Sequence, residues 1–495
     1  MMLSTASCLD QLPDDAIPAD DAISTVSEAD QAIMGVYAAF KSPALYSGNL
    51  TLLPDLQADL AYAVDGYTNV YGDIWRWNIL STNSDTESVY AALYTVISRA
   101  NFLLEYLPRV RRNASDSDYN KLETIEGEAL FARALAHAEL IRMYSKSYES
   151  SQQAENELGV VCMDRYYSEK PITRSSLEAS YQFVISDLER AAYLLRLGED
   201  YDPAVDGSLY DHTYFNEYTV YALRARVALY MKDWDNAIKY SSLIINSGYY
   251  TLSNVNQSAG NGMNYYEYLW QLDASTETIW KVGFTINSYG GSLGRIFFNY
   301  DYVSLKPDYV PALWVLSLYD ASDLRYEAFF RTYPTGYSHG LQWPLLMKYW
   351  GNANFESYNM LHLNMPKVFR LSEQYLIRAE AYVSRAQGND FSLAAKDITR
   401  LRTARYSAFG GGVTITAENG MQVIEEERVK ELYMEGFRLT DLKRWHKGFE
   451  RTPQQNSLPH GSSLRVEADD PLFVWPIPQH ELEAPGSNIQ PNESN

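Results

Sequence analysis

Ala, Leu, Ile and Tyr recur at helical spacing through most of this chain, and polar residues hold the intervening positions. That period predicts amphipathic helices, mostly of about 15 to 25 residues, packed on one another. Three Ser/Thr-x-x-Glu boxes mark helix starts, at Thr25 with Glu28, Ser84 with Glu87 and Ser175 with Glu178. In each, a hydroxyl and a carboxylate one turn later cover the first free backbone N–H groups.

Two stretches share one plan. Residues 218–246 put an alanine-rich helix before Lys232-Asp233 and a second helix from Trp234; residues 373–402 repeat this with a longer turn around Gly388. Small residues at Ala225, Ala237, Ala379 and Ala394 let the helices approach closely. The pattern resembles tetratricopeptide repeats, in degenerate form. Between the pairs, residues 248–366 exchange alanine for Gly, Asn, Ser, Tyr and Trp, with prolines at 307, 311, 334 and 344 and short β-like runs such as ETIWKVGF at 277–284. This reads as an irregular insertion over a helical scaffold, where binding residues concentrate. The tail from residue 451 is rich in Pro, Gly and polar residues, as suits an extended segment laid across a finished domain.

Composition narrows the partners. The 495 residues carry 63 acidic against 41 basic side chains, a formal charge of −22, so nothing draws the surface to a phosphate backbone and nucleic acid is not expected. Tyrosine is abundant, 41 residues against 17 Phe, and its flat apolar face with one hydroxyl suits wet interfaces. Two cysteines, Cys8 and Cys162, give no disulfide framework or CxxC motif. The longest apolar runs, such as VYAALYTVI at 89–97, are too short to span a bilayer. At the start, Thr5-Ala6-Ser7 before Cys8 looks like the end of a lipoprotein signal, although a charged and a full apolar region are missing ahead of it.

Catalytic motifs are weak. GYSHG at 336–340 fits G-x-S-x-G, but Pro334 and Pro344 deny it the strand and helix of a nucleophile elbow. Seven scattered histidines offer no ligand pair at helical spacing, and no metal or other cofactor is expected. In residues 424–445, Glu427, Glu431 and Glu435 form an i, i+4 ladder with Arg428, Arg438, Arg444 and Asp441 nearby. Carboxylates among arginines stay ionised, so this predicts a structural ion-pair network rather than a catalytic acid.

RVKELYMEGFRLTDLKRW at 428–445 resembles the C-terminal signature of the SusD/RagB family of outer-membrane nutrient-binding lipoproteins. Similar blocks occur in the same order: residues 88–107, 127–144, 180–195, 218–246, 318–325, 369–382 and the closing WPIPQHELEAPGSNIQPN at 475–492. The resemblance implies a mostly α fold, with tetratricopeptide-like helix pairs as scaffold and a large irregular, loop-rich insertion with short strands carrying the ligand site. It implies residues 1–8 as a signal remnant ending at lipidated Cys8, 9–24 as a tether with Asp10, Asp14 and Asp15 as an acidic export signal, and 25–492 as one SusD-like domain. Within that domain, 25–247 are N-terminal helices, 248–366 the insertion, 367–450 C-terminal helices and 451–492 the extended segment. The implied function is capture of an oligosaccharide, or in some relatives a peptide, at the cell surface and its delivery to a SusC-like TonB-dependent transporter, without catalysis. The closing run departs from the family's usual Gln-Asn-Pro-Gly-Tyr-like end, keeping only Gln490-Pro491-Asn492.

A sugar binder needs exposed aromatic faces flanked by short polar side chains. Two regions offer this: Tyr67, Asn69, Tyr71, Asp73, Trp75, Trp77 and Asn78 near the N-terminus, and Tyr289, Phe297, Tyr300, Trp343, Tyr349 and Trp350 in the insertion. Trp75 and Trp77 share a face only if the backbone there is extended, and Gly72 with its polar flanks favours that over helix. The alternatives are an α-helical glycoside hydrolase using carboxylates such as Asp301, Asp308 or Asp320, and a helical-repeat adaptor for peptides or proteins.

Overall fold

Thr25 caps the first helix, Val26–Ala39, with its hydroxyl accepting from the Glu28 N–H while the Glu28 carboxylate accepts from the Thr25 N–H. The other two predicted starts are each displaced by one residue. Asn83 caps Ser84–Asn113, its side-chain oxygen accepting from the Asp85 and Thr86 N–H groups, so Ser84 is already inside the helix. Ser176 caps Leu177–Leu194, because the Ser175 backbone is committed to a short ladder with Gly159 and Val160.

The computed structural model describes residues 22–64, 66, 68–167, 172–198, 212–260, 262–300, 303–337, 342–453 and 463–495. Cys8, the three aspartates after it, Tyr67 and Asp301 lie outside them. The described residues are mostly helical. Helices Ser84–Asn113, Tyr119–Tyr144 and Leu177–Leu194 pack in succession, followed by Glu217–Tyr230 against Trp234–Ile245 and Leu371–Arg385 against Asp390–Arg405. Ala225, Ala237, Ala379 and Ala394 are fully buried in these seams, where a larger side chain would push the helices apart. Lys232 takes a positive φ in the first turn and Ala386 in the second, so each reversal is completed by a left-handed residue.

The insertion is pinned to the scaffold by short antiparallel strand pairs. Thr278–Lys281 pairs with Lys367–Arg370, and Tyr309–Pro311 pairs with Ala61–Ala63, which brings the N-terminal loop beside the insertion. Beneath them lies an aromatic core of its own, containing Tyr62, Trp75, Tyr309, Trp343, Tyr349 and Tyr433. The extended tail closes over the helices. Trp475 is fully buried, its indole N–H donating to Gln57 Oε1 at 2.8 Å and its backbone N–H to the Met143 carbonyl at 2.9 Å.

The acidic ladder at 427–435 is a buried ion-pair network, with arginine partners drawn from other segments. Glu431 accepts from Arg405 at 2.9 Å, Arg370 at 3.0 Å and Arg325 at 3.1 Å, while Glu427 pairs with Arg325 at 2.7 Å and Arg402 at 2.8 Å. Glu435 meets Lys348 and Arg370, each at 2.6 Å. Burial alone would raise the Glu427 pKa, but Arg325, Lys430 and Arg402 more than reverse that and hold it at about 2. Arg428 and Arg444 serve a second cluster around Asp441 and Glu380. Among the described residues, no helix is long and apolar enough to cross a membrane.

Candidate functional site

The N-terminal aromatic loop is a compact helical turn. Tyr71 adopts a left-handed φ of 58°, residues Gly72–Trp75 make one turn of helix, and Trp77 is left-handed again at 57°. A Cβ on Gly72 would stand 2.1 Å from Asn69 Oδ1 and 2.8 Å from the Arg76 guanidinium, so a larger residue there would displace these two surface side chains. This corrects the extended reading, and the two tryptophans take different directions. Trp75 is only 3% exposed; its indole N–H donates to the Ala61 carbonyl at 3.2 Å, and the Arg451 guanidinium stacks 4.7 Å from its ring. Trp77 is half-buried, donating to the Gln57 carbonyl at 2.6 Å and packing on Phe449 and Phe473. Both indoles therefore spend their polar atom on the protein.

The polar neighbours are on the surface. Arg76 bridges Asn69 Oδ1 at 2.8 Å and Asp73 Oδ1 at 3.1 Å, and Asn78 is exposed, its backbone N–H donating to the Asp73 carbonyl. In the insertion, Trp343 is 2% exposed and donates to the Pro311 carbonyl at 3.0 Å. Tyr349 is buried with its hydroxyl donating to the Met434 carbonyl at 2.8 Å, and Phe297 is buried beside it in the same core. Trp350 is half-buried between Tyr333 and Phe298. Tyr289, at 52% exposure, and Tyr300 are the predicted insertion aromatics that stand out into solvent.

Tyr71 is where the two regions meet. It borders an open cleft of about 740 Å³ between residues 43–52, the 68–71 loop and the 291–308 segment. Its hydroxyl donates to Asn49 Oδ1 at 2.9 Å, and the Asn49 amide donates in turn to the Asp85 carbonyl and Ser88 Oγ. Burial and then the Asp85 charge push the Tyr71 phenol up to about 12, so it stays a neutral hydrogen-bonding group. At the floor, Asp308 is 1% exposed and accepts from the Thr68 N–H and the Asn299 amide, each at 2.8 Å; burial raises its carboxyl above the ordinary range. It thus fixes the 68–71 loop against the insertion. Arg295 lines the cleft and is exposed, and its guanidinium makes no hydrogen bond or ion pair among the described residues.

Asn49, Ser292, Arg295 and Asn299 escaped the sequence reading, which searched for aromatic rings. A signal was present: residues 292, 295, 296 and 299 follow the i, i+3, i+4, i+7 spacing of a helical face. They line the cleft, Ile296 from its buried floor, while Leu293, Phe297 and Phe298 are buried and absent from the lining. The cleft's volume falls in the range of small-ligand sites, and its lining offers amide, hydroxyl and guanidinium groups beside one tyrosine ring. No group of His, Cys, Asp or Glu that could hold a metal occurs among the described residues.

Residues 8–229 match a SusD-like family described as "Starch-binding associating with outer membrane", and residues 335–492 match the SusD family. These two matches together span most of the chain, which belongs to the SusD/RagB family. The chain is similar to SusD-like protein P2 of Formosa agariphila, 22% identical over 99% of this chain and 97% of that protein. Its fold is that of a SusD superfamily protein from Bacteroides thetaiotaomicron, with a TM-score of 0.77, 23% identity, and 94% of this chain and 99% of that one covered. A SusD-like carbohydrate binding protein from Bacteroides vulgatus is also similar, with a TM-score of 0.72, 18% identity, and 94% and 98% coverage.

Proposed function

We propose that the protein captures an oligosaccharide in the Tyr71–Arg295 cleft and hands it to a SusC-like TonB-dependent transporter, without breaking bonds itself. The observation that carries this reading is the cleft: an open trough of amide, hydroxyl and guanidinium groups with one ring face, formed where a SusD-family scaffold meets its insertion. The protein would work at the outer-membrane surface, tethered through a lipid on Cys8. Family membership and the Thr5-Ala6-Ser7-Cys8 sequence support that anchor.

One observation favours hydrolysis, the raised carboxyl of Asp308 in the cleft. A glycosidase needs a second carboxylate roughly 5–10 Å away. No other carboxylate lines this cleft among the described residues, and Asp308 already accepts from two donors. The purified protein, run through gels containing neutral and acidic polysaccharides, should be retarded by its ligand. Incubation with the same polysaccharides should release no new reducing ends; sustained release abolished by Asp308→Asn would replace capture with hydrolysis.

A further inference from the structure

The net charge of −22 makes the charges around the cleft informative. Among the described residues, Arg295 is the charged side chain exposed on its lining, and the one carboxylate there, Asp308, is buried and occupied. Asp85 influences the Tyr71 phenol but does not line the cleft.

A second open cleft, of about 610 Å³, adjoins the first. The two share a wall, residues 288–291: Gly291 donates to Ser47 Oγ at 2.8 Å on one side, and Lys41 Nζ donates to Ser288 Oγ at 2.9 Å on the other. Ser47 Oγ and the Lys41 carbonyl are themselves 3.4 Å apart. Exposed Tyr289 belongs to this wall. The second cleft is lined by Tyr37, Tyr214, Phe284 and Lys41, with no carboxylate in its lining among the described residues. Burial lowers the Lys41 pKa, a cost that an anionic partner would offset.

We propose that the ligand is an acidic oligosaccharide, with one anionic substituent paired to Arg295 and, in longer chains, a second reaching Lys41 across Tyr289. The Arg295 charge is felt by buried Asp308, yet no hydrogen bond or ion pair engages its guanidinium among the described residues, which leaves it suited to bidentate pairing with a carboxylate or a sulfate ester. In a strongly acidic protein, clefts without an exposed carboxylate remove the repulsion such a ligand would otherwise meet. This inference rests on the glycan-capture reading above.

Calorimetric titration of the full chain with oligogalacturonides, sulfated carrageenan oligosaccharides, and neutral malto- and xylo-oligosaccharides tests it. We expect tight binding from an acidic series, weakening as salt is raised, with Arg295→Gln costing about tenfold or more at unchanged melting temperature. Lys41→Gln should weaken long chains and leave short ones unaffected. The responding series tells uronate from sulfate. Binding of a neutral series that is indifferent to salt and to Arg295→Gln would overturn the acidic ligand and leave glycan capture standing. A folded protein that binds none of the series would overturn both.

Discussion

Trp75 shows what a single residue contributes here. Its indole fills the core under the Ala61–Ala63 strand, satisfies a carbonyl and carries the Arg451 guanidinium on its face. Trp75→Ala should therefore cost about 3–5 kcal/mol in urea denaturation. Tyr289→Ala, at an exposed ring, should stay within about 0.5 kcal/mol and act on ligand binding instead. The sequence showed the aromatic cluster but could not orient it. Face-sharing at a spacing of two depends on an extended backbone, and nothing local announces that Tyr71 and Trp77 adopt left-handed φ values. The partner of Trp75, Arg451, is also remote in sequence. Arg295 was overlooked for the opposite reason: its proposed role rests on a guanidinium that no hydrogen bond or ion pair engages among the described residues, which only the folded arrangement reveals.

At the scale of elements, periodicity made the helix pairs readable because their seams are built from local, repeated small residues, as at Ala225 with Ala237 and Ala379 with Ala394. Caps were readable to within one residue, since Asn83 and Ser176 compete with the neighbouring serines for the same N–H groups. The ion-pair ladder was legible as chemistry and not as connectivity. Glu427 takes Arg325 and Arg402 from other segments because burial leaves its charge no water to turn to. Its depressed pKa makes the sign of its pH dependence definite. The stabilisation is present above the ordinary glutamate pKa of 4.5 and is lost as pH falls through about 2. Glu427→Gln should thus destabilise the protein by about 3 kcal/mol at neutral pH, and urea titrations should show the gap from wild type narrowing as the solution is acidified toward pH 2.

For the whole molecule, packed helical layers and a buried ionic seam hold two segments, around the 61–63 and 309–311 strand pair with residues 68–71 and 291–299, on either side of one trough. Binding needs that trough preorganised, and Asp308 does this by holding Thr68 from the loop and Asn299 from the insertion together. Asp308→Ala should lower affinity by loosening the loop even where the ligand touches neither oxygen, with faster hydrogen exchange at residues 68–71 as its sign. The central claim is that this trough is where the protein holds a glycan. Titration calorimetry of wild type and of the Asn299→Ala/Arg295→Ala double variant with the oligosaccharide that retards the wild type in gels tests it most directly. The account predicts saturable binding by the wild type and a loss of about tenfold or more in the variant, measured at a temperature where both proteins are fully folded; equal affinity in the two proteins would contradict it.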